Sequence, residues 1–164
     1  KILLVYPKYP DTFWSFKHVL KFVSKKAAFP PLGLLTIASM VPKEWEKKLV
    51  DTNITDLKDS DIEWADMIFI SAMIVQKESS QEIINRCKAK NKLVVAGGPV
   101  FTTQHEKFFG VDHFILNEAE VTLPLFLNDL KLGNAKQVYT SGIRPDVTTT
   151  PIPMWNLINL KNLF

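Results

Sequence analysis

The run Ile2-Leu3-Leu4-Val5-Tyr6, apolar at every position and closed by Pro7, is the feature that most constrains this chain. A strand with one face in water alternates apolar and polar residues. A run with no polar position suits a strand buried on both faces, which is the condition inside a parallel sheet. Shorter candidates follow at 48–51, 66–71 (Met67-Ile68-Phe69-Ile70), 92–96 (Leu93-Val94-Val95) and 113–116, so five strands are expected. Helical signatures lie between them. Pro30-Pro31 opens a stretch bearing Leu34, Leu35, Ile37, Ala38 and Val41 that stops near Pro42; a proline is tolerated in a first turn because its missing N–H would have no partner there. Ser79-Ser80-Gln81-Glu82 reads as a capping box ahead of Ile83, Ile84 and Cys87, with Asn91 available to end the helix, and Thr103 with Glu106 repeats that spacing before Phe108-Phe109 and Gly110. In the last helix Pro124 is expected in the first turn, Leu123, Phe126, Leu127 and Leu130 form one stripe, and Gly133 follows.

Strands alternating with helices imply a parallel sheet covered on both faces with right-handed crossovers, that is, a doubly wound, flavodoxin-like α/β fold. At 164 residues with 46% hydrophobic and 23% charged residues, the chain can bury one such core. Residues 1–142 are assigned to it. Within them 11–28, with Phe13, Phe16, Val19, Leu20 and Val23 at near-helical spacing, reads as an inserted lid. Residues 143–164, with Pro145, Pro151 and Pro153 followed by Trp155, Leu157, Ile158 and Leu160, read as an extended linker. The net charge of +3 comes from scattered lysines, which excludes a nucleic-acid footprint, and no apolar run is long enough to span a membrane. The single cysteine, Cys87, excludes an internal disulfide framework and a cysteine-ligated cluster, and agrees with a reducing cytosol; a cytoplasmic protein is expected.

In a doubly wound sheet, ligands bind beyond the carboxyl ends of the strands, so the loops after each strand carry the functional information. After strand one, Pro7-Lys8-Tyr9-Pro10-Asp11 is stiff and partly aromatic, with no glycine pattern for a dinucleotide or a phosphate. After strand three come Ser71-Ala72-Met73; Ser71 could hydrogen-bond a heteroaromatic ring or simply satisfy the strand end. A response-regulator phosphoacceptor would need an aspartate there. After strand four, Gly97-Gly98-Pro99 either allows close ligand approach to backbone or is only a tight turn. After strand five, Asn117-Glu118-Ala119-Glu120 places carboxylates at a helix start, where the dipole favours them with or without a ligand. His18, His105 and His113 show no metal-ligand spacing, and no nucleophile–base pair is visible, so no catalytic or metal-ligating residue is assigned.

Ser71-x-Met73 with Gly97-Gly98 resembles two of the three signatures of cobalamin-binding domains; the third, Asp-x-His-x-x-Gly after strand one, is absent. Phe29-Pro30-Pro31-Leu32-Gly33-Leu34-Leu35, Gly97-Gly98-Pro99-Val100-Phe101-Thr102 and Asn117-Glu118-Ala119-Glu120 leading into Thr122-Leu123-Pro124 resemble the N-terminal domains of cobalamin-dependent radical-SAM proteins. There the last motif is often Gly-Glu-Gly-Glu, so both glycines are replaced here. The resemblance implies cobalamin held by the loops around Tyr9, Leu32-Gly33, Ser71-Ala72-Met73-Ile74-Val75, Gly97 to Phe101 and Asn117, Glu118 and Glu120, with no histidine on cobalt and Ile74 or Val75 beneath it. It also implies a C-terminal radical-SAM domain with a 4Fe-4S cluster and S-adenosylmethionine, reached through 143–164, acting by methyl transfer or related radical chemistry on a small or lipid-like molecule. The alternative is a degenerate flavodoxin-like scaffold that binds no cofactor, which the two replaced glycines favour. A nucleotide-binding transferase is weaker still, for want of a phosphate loop.

Overall fold

A computed structural model of the chain describes residues 1–11 and 29–159. The lid expected over 11–28 lies, beyond Asp11, outside the described residues. Six parallel strands form one sheet: β1 (Ile2–Tyr6), β2 (Lys47–Asp51), β3 (Met67–Ser71), β4 (Leu93–Gly97), β5 (His113–Ile115) and β6 (Val138–Tyr139), in the order β2-β1-β3-β4-β5-β6. Between them lie α1 (Leu32–Met40), α2 (Asp59–Trp64), α3 (Lys77–Ala89), α4 (Pro99–Gln104) and α5 (Ala119–Leu132). The fold is the expected doubly wound, flavodoxin-like one, with six strands in place of five. The sixth has only two residues, too few to show a pattern; it exists because Phe114 N–H donates to the Gln137 carbonyl at 2.6 Å and Leu116 N–H to the Tyr139 carbonyl at 2.8 Å.

The continuous apolar run of β1 is divided between two layers. Leu3 and Val5 join Ile68, Ile70, Val94, Ala96 and Phe114 in a core with Ile62 of α2, Ile84 of α3 and Phe101 of α4. Ile2 and Leu4 join Phe69, Val95 and Ile115 in a second core with Leu34 of α1 and Phe126 of α5. A strand's side chains alternate, so helices on both faces require apolar residues at every position. Cys87 is buried in the first core, where desolvation pushes its thiol up to about 11 and leaves it inert.

These faces also fix the hand of the connections. The crossover from β4 to β5 passes over the α2–α3–α4 face, whereas that from β5 to β6 moves in the same direction across the sheet over the opposite face. The last connection therefore has the opposite hand to its neighbour, a departure from the uniform right-handedness expected of the alternation.

Helix starts differ from the sequence expectation. α3 begins at Lys77, two residues before the expected capping box: Ser80 lies inside it, donating to the Gln76 carbonyl at 2.7 Å, and Ser79 Oγ accepts from Lys8 N–H at 3.0 Å. Thr103 is likewise inside a helix, because Pro99 starts α4 directly after Gly98, and its hydroxyl donates to the Pro99 carbonyl. α5 begins at Ala119, which puts Pro124 beyond the first turn. Asn91 and Gly133, in contrast, take the left-handed conformation expected of residues that end helices. Past β6, Ser39 Oγ donates to the Ile152 carbonyl at 2.7 Å, Met154 N–H donates to the Leu35 carbonyl at 3.0 Å, and Met154 and Leu157 pack on the α1–α5 core.

Candidate functional site

From β1 the chain passes to β2 over the α1 face; from β3 it passes to β4 over the other. The carboxyl ends of β1 and β3 therefore flank the topological switch point, where a doubly wound sheet opens a crevice. The floor of this crevice is built of small residues. Gly98 has φ +93°, and a β-carbon on it would lie 2.8 Å from Ser71 Oγ and 3.1 Å from the Ala72 carbonyl oxygen. Gly33, in the first turn of α1, approaches Ser71 Oγ as well, at 3.8 Å from its own would-be β-carbon. Gly97 differs: a β-carbon there would meet the Ile115 carbonyl oxygen at 2.7 Å, so its smallness serves the β4–β5 packing. Ala72 is buried and Pro99 exposed at the start of α4.

Around the floor stand apolar side chains that the core does not use. Met73, Ile74 and Val75 after β3, Tyr9 after β1 and Leu32 at the start of α1 are exposed, Ile74 and Val75 by 53% and 58%. In a domain that buries Leu3, Leu4 and Leu35 completely, apolar residues left exposed on the loops at the carboxyl end of the sheet are the kind of surface that attracts a ligand. The structure thus puts Gly33 and Gly98 against Ser71, and places Tyr9, Leu32 and Met73 to Val75 exposed on the loops after β1 and β3 and at the start of α1. It leaves Val100 and Phe101 inside the core, fully buried, the Phe101 ring 4.5 Å from that of Phe108.

The acidic loop lies beyond β4, at the exit of β5. Asn117 takes φ +60°, its N–H donates to Thr102 Oγ1, and its side-chain amide donates to Thr140 Oγ1 and to the Ser141 carbonyl, each at 2.9 Å. Asparagine thus keeps a left-handed backbone where the family pattern has glycine. Ala119, the second replaced glycine, is the first residue of α5. Glu118 is exposed, and Glu120 accepts from Thr150 Oγ1 at 3.3 Å.

Two groups hold the loops in place. Gln76, with no exposed surface, accepts from Met73 N–H at 2.7 Å and donates to the Pro7 carbonyl. Asn53 accepts from Tyr9 N–H at 2.9 Å and donates to Pro7 as well. Sequence reasoning missed both, since nothing in the local sequence shows that the Gln76 or Asn53 side chain turns towards a distant loop. The Tyr6 and Tyr9 hydroxyls are 2.7 Å apart; burial first, then that hydrogen bond, raises the Tyr6 phenol well above its ordinary value.

Neither described histidine reaches the crevice. His113 opens β5 at the amino end of the sheet, its Nδ1 2.6 Å from the Lys136 carbonyl, and His105 follows α4 with its ring against Phe114. His18 lies outside the described residues. Among the described residues no group of histidine, cysteine and carboxylate side chains is arranged to hold a metal, and no helix is long and apolar enough to cross a membrane. A second concavity, of about 300 Å³, runs along the outer edge of β2, lined by Lys48, Asp51, Lys58, Asp61 and Leu157 among others.

The fold and its apolar crevice define a flavodoxin-like ligand-binding module. Residues 22–127 match the B12 binding domain family, and the chain belongs to that family. It is 44% identical over 162 residues to an uncharacterized methyltransferase of Synechocystis, 32% identical over 162 residues to the hopanoid C-2 methylase of Rhodopseudomonas palustris, and 27% identical over 154 residues to the bacteriochlorophyllide d C-12(1)-methyltransferase of Chlorobaculum tepidum. Those matches cover 98%, 96% and 92% of this chain but 30%, 31% and 32% of the relatives, so the chain spans about a third of their length. No solved structure gives a significant match.

Proposed function

We propose that this chain is the cobalamin-holding module of a longer methyl-transferring enzyme, and that it binds the corrin without a histidine ligand. The observation that carries this reading is the exposed apolar set Tyr9, Leu32, Met73, Ile74 and Val75 around the small-residue floor at the β1/β3 switch point. A corrin is a broad, largely apolar macrocycle fringed with amides. Aliphatic side chains beneath it and backbone with hydroxyl groups at its margin suit both parts. Ser71 and the Gly33 and Gly98 backbones are assigned to the nucleotide tail, Ile74 and Val75 to the underside of the ring, and the Asn117 to Glu120 loop to its fringe. Cobalamin, when bound, supplies methyl-carrying chemistry; the chain's own residues bind it, orient it and keep water from its lower face.

The methyltransferase relatives support methyl transfer for the whole protein. The sequence resemblance supports a following radical-SAM domain, with its 4Fe-4S cluster and S-adenosylmethionine, reached through residues 143–164, and a small or lipid-like substrate. The test is retention of cobalamin by the complete protein. After mixing with hydroxocobalamin and desalting, the corrin absorption should remain with the protein at about one per chain. Gly33→Leu should abolish it without unfolding the domain, since the added side chain starts in ordinary van der Waals space beside Ser71. A colourless wild-type protein would leave the cofactor-free scaffold as the better reading.

A further inference from the structure

The crevice is walled by two loops that belong to different parts of the chain, and one side chain joins them. Gln76 ends the short 3-10 turn Ile74–Gln76 and is turned inward with no exposed surface, while its neighbours Ile74 and Val75 point out. Its amide oxygen accepts from Met73 N–H, closing the β3 loop on itself, and its amide nitrogen donates to the Pro7 carbonyl, 69 residues away in sequence, on the β1 loop. Its own carbonyl accepts from the buried Ser80 hydroxyl in α3, which fixes the residue from behind. Both polar atoms of the amide are thereby used. A buried carboxamide that satisfies two loops at once stays in place only if both loops keep their positions, because leaving either partner unsatisfied costs a buried hydrogen bond.

We infer that Gln76 is a positioning residue: it couples the Pro7–Tyr9 loop to the Met73–Val75 loop so that Tyr9, Met73, Ile74 and Val75 form one preorganised platform for the corrin. This rests on the cobalamin reading above for what the platform holds, but the coupling is a property of the protein without its cofactor. A fixed apolar surface binds a rigid macrocycle without first ordering two loops, so the coupling acts on affinity.

The two bonds can be separated by substitution in the complete protein. Gln76→Glu keeps an oxygen for Met73 N–H but, once ionised, places a carboxylate that cannot donate against the Pro7 carbonyl. Because burial favours the neutral acid, which can donate, exchange is compared on both sides of the variant carboxyl's titration and the split is read on the alkaline side. Gln76→Leu removes both bonds. Amide hydrogen exchange of the cofactor-free protein is read in peptides covering 8–11 and 73–75. Under the proposal, Gln76→Glu speeds exchange several-fold in 8–11 and leaves 73–75 near wild type, while Gln76→Leu speeds both. Hydroxocobalamin affinity falls about tenfold or more in each variant, with thermal unfolding still cooperative. Unchanged exchange in 8–11 in both variants overturns the coupling, whatever happens to affinity. Wild-type affinity in both overturns its role in binding. If the wild-type protein retains no hydroxocobalamin, the cobalamin reading fails instead, and the exchange pattern still decides whether Gln76 couples the loops. Should Gln76→Leu fail to fold, Gln76→Glu alone gives the discriminating split.

Discussion

The crevice between the β1 and β3 ends and the groove along the outer edge of β2 lie close together on one sheet, yet they differ in what their residues are already doing. The groove is a defined concavity, but several of its charges are engaged: Lys48 Nζ pairs with Asp61, Asp61 Oδ2 accepts from Lys58 N–H, and Asp51 Oδ1 accepts twice from Asn53. The crevice instead carries exposed apolar side chains on the loops at the point where the chain's direction across the sheet reverses. A hollow lined largely by charged and polar groups offers little to an apolar ligand, whereas a surface of unburied aliphatic groups gains by being covered.

Substitutions can break or sharpen that contrast. The largest effect is expected inside the sheet beneath the crevice: Gly97→Val drives a β-carbon against the Ile115 carbonyl and should lower stability by about 3 kcal/mol, seen as a reduced denaturant midpoint. A normal midpoint would show that β4 and β5 can separate there at little cost. Next, the pair Ile74→Asp and Val75→Asp should leave stability within about 0.5 kcal/mol, because both side chains are exposed, yet weaken cobalamin retention by about 2 kcal/mol, on the order of thirtyfold, measured by equilibrium dialysis. Retention at the wild-type level would remove the apolar platform from the argument.

In the groove, Asp51 supplies a smaller, pH-dependent effect. Its Oδ2 is buried without a hydrogen-bond partner among the described residues, and desolvation raises its pKa against the lowering effect of Asn53. For a carboxyl raised in the folded state, stability is fully present below the unfolded value and is lost as pH rises through the folded one. Asp51→Asn should therefore stabilise the protein by about 1 kcal/mol at pH 7, with the gain shrinking as pH falls towards the ordinary carboxylate range. A gain independent of pH would show that the carboxyl's charge is not what costs. Smallest of all, Lys58→Ala should change cobalamin affinity by less than about 0.5 kcal/mol, since it touches only the groove. A larger loss would make the groove part of the site.

Much of the fold was legible because its signals are local. Ile2 to Tyr6 shows no polar position, and that alone requires cover on both faces; Pro31, Asn91 and Gly133 mark helix ends through their own backbone preferences. The places of the candidate loops in the fold were legible as well, since Ser71 and Gly98 sit at strand ends and Gly33 opens a helix. Other features were not, each for a specific reason. Two residues of β6 carry no periodicity, Ser79 and Thr103 look like caps until the true helix starts are known, and Phe101 sits in a loop-like motif but points into the core.

The sequence by itself determined the layering: alternation of side chains along apolar strands, interleaved with amphipathic stretches, leaves little choice but a parallel sheet between two helical layers. Only the tertiary structure decided how each small or polar residue is used. Gly97 yields to the Ile115 carbonyl, Gly98 to Ser71, and Gln76 turns inward to reach Pro7, because each of those partners is brought close by folding from a distant point in the chain. A residue's type limits the bonds it can make, but the atoms that approach it are chosen by strand order and register.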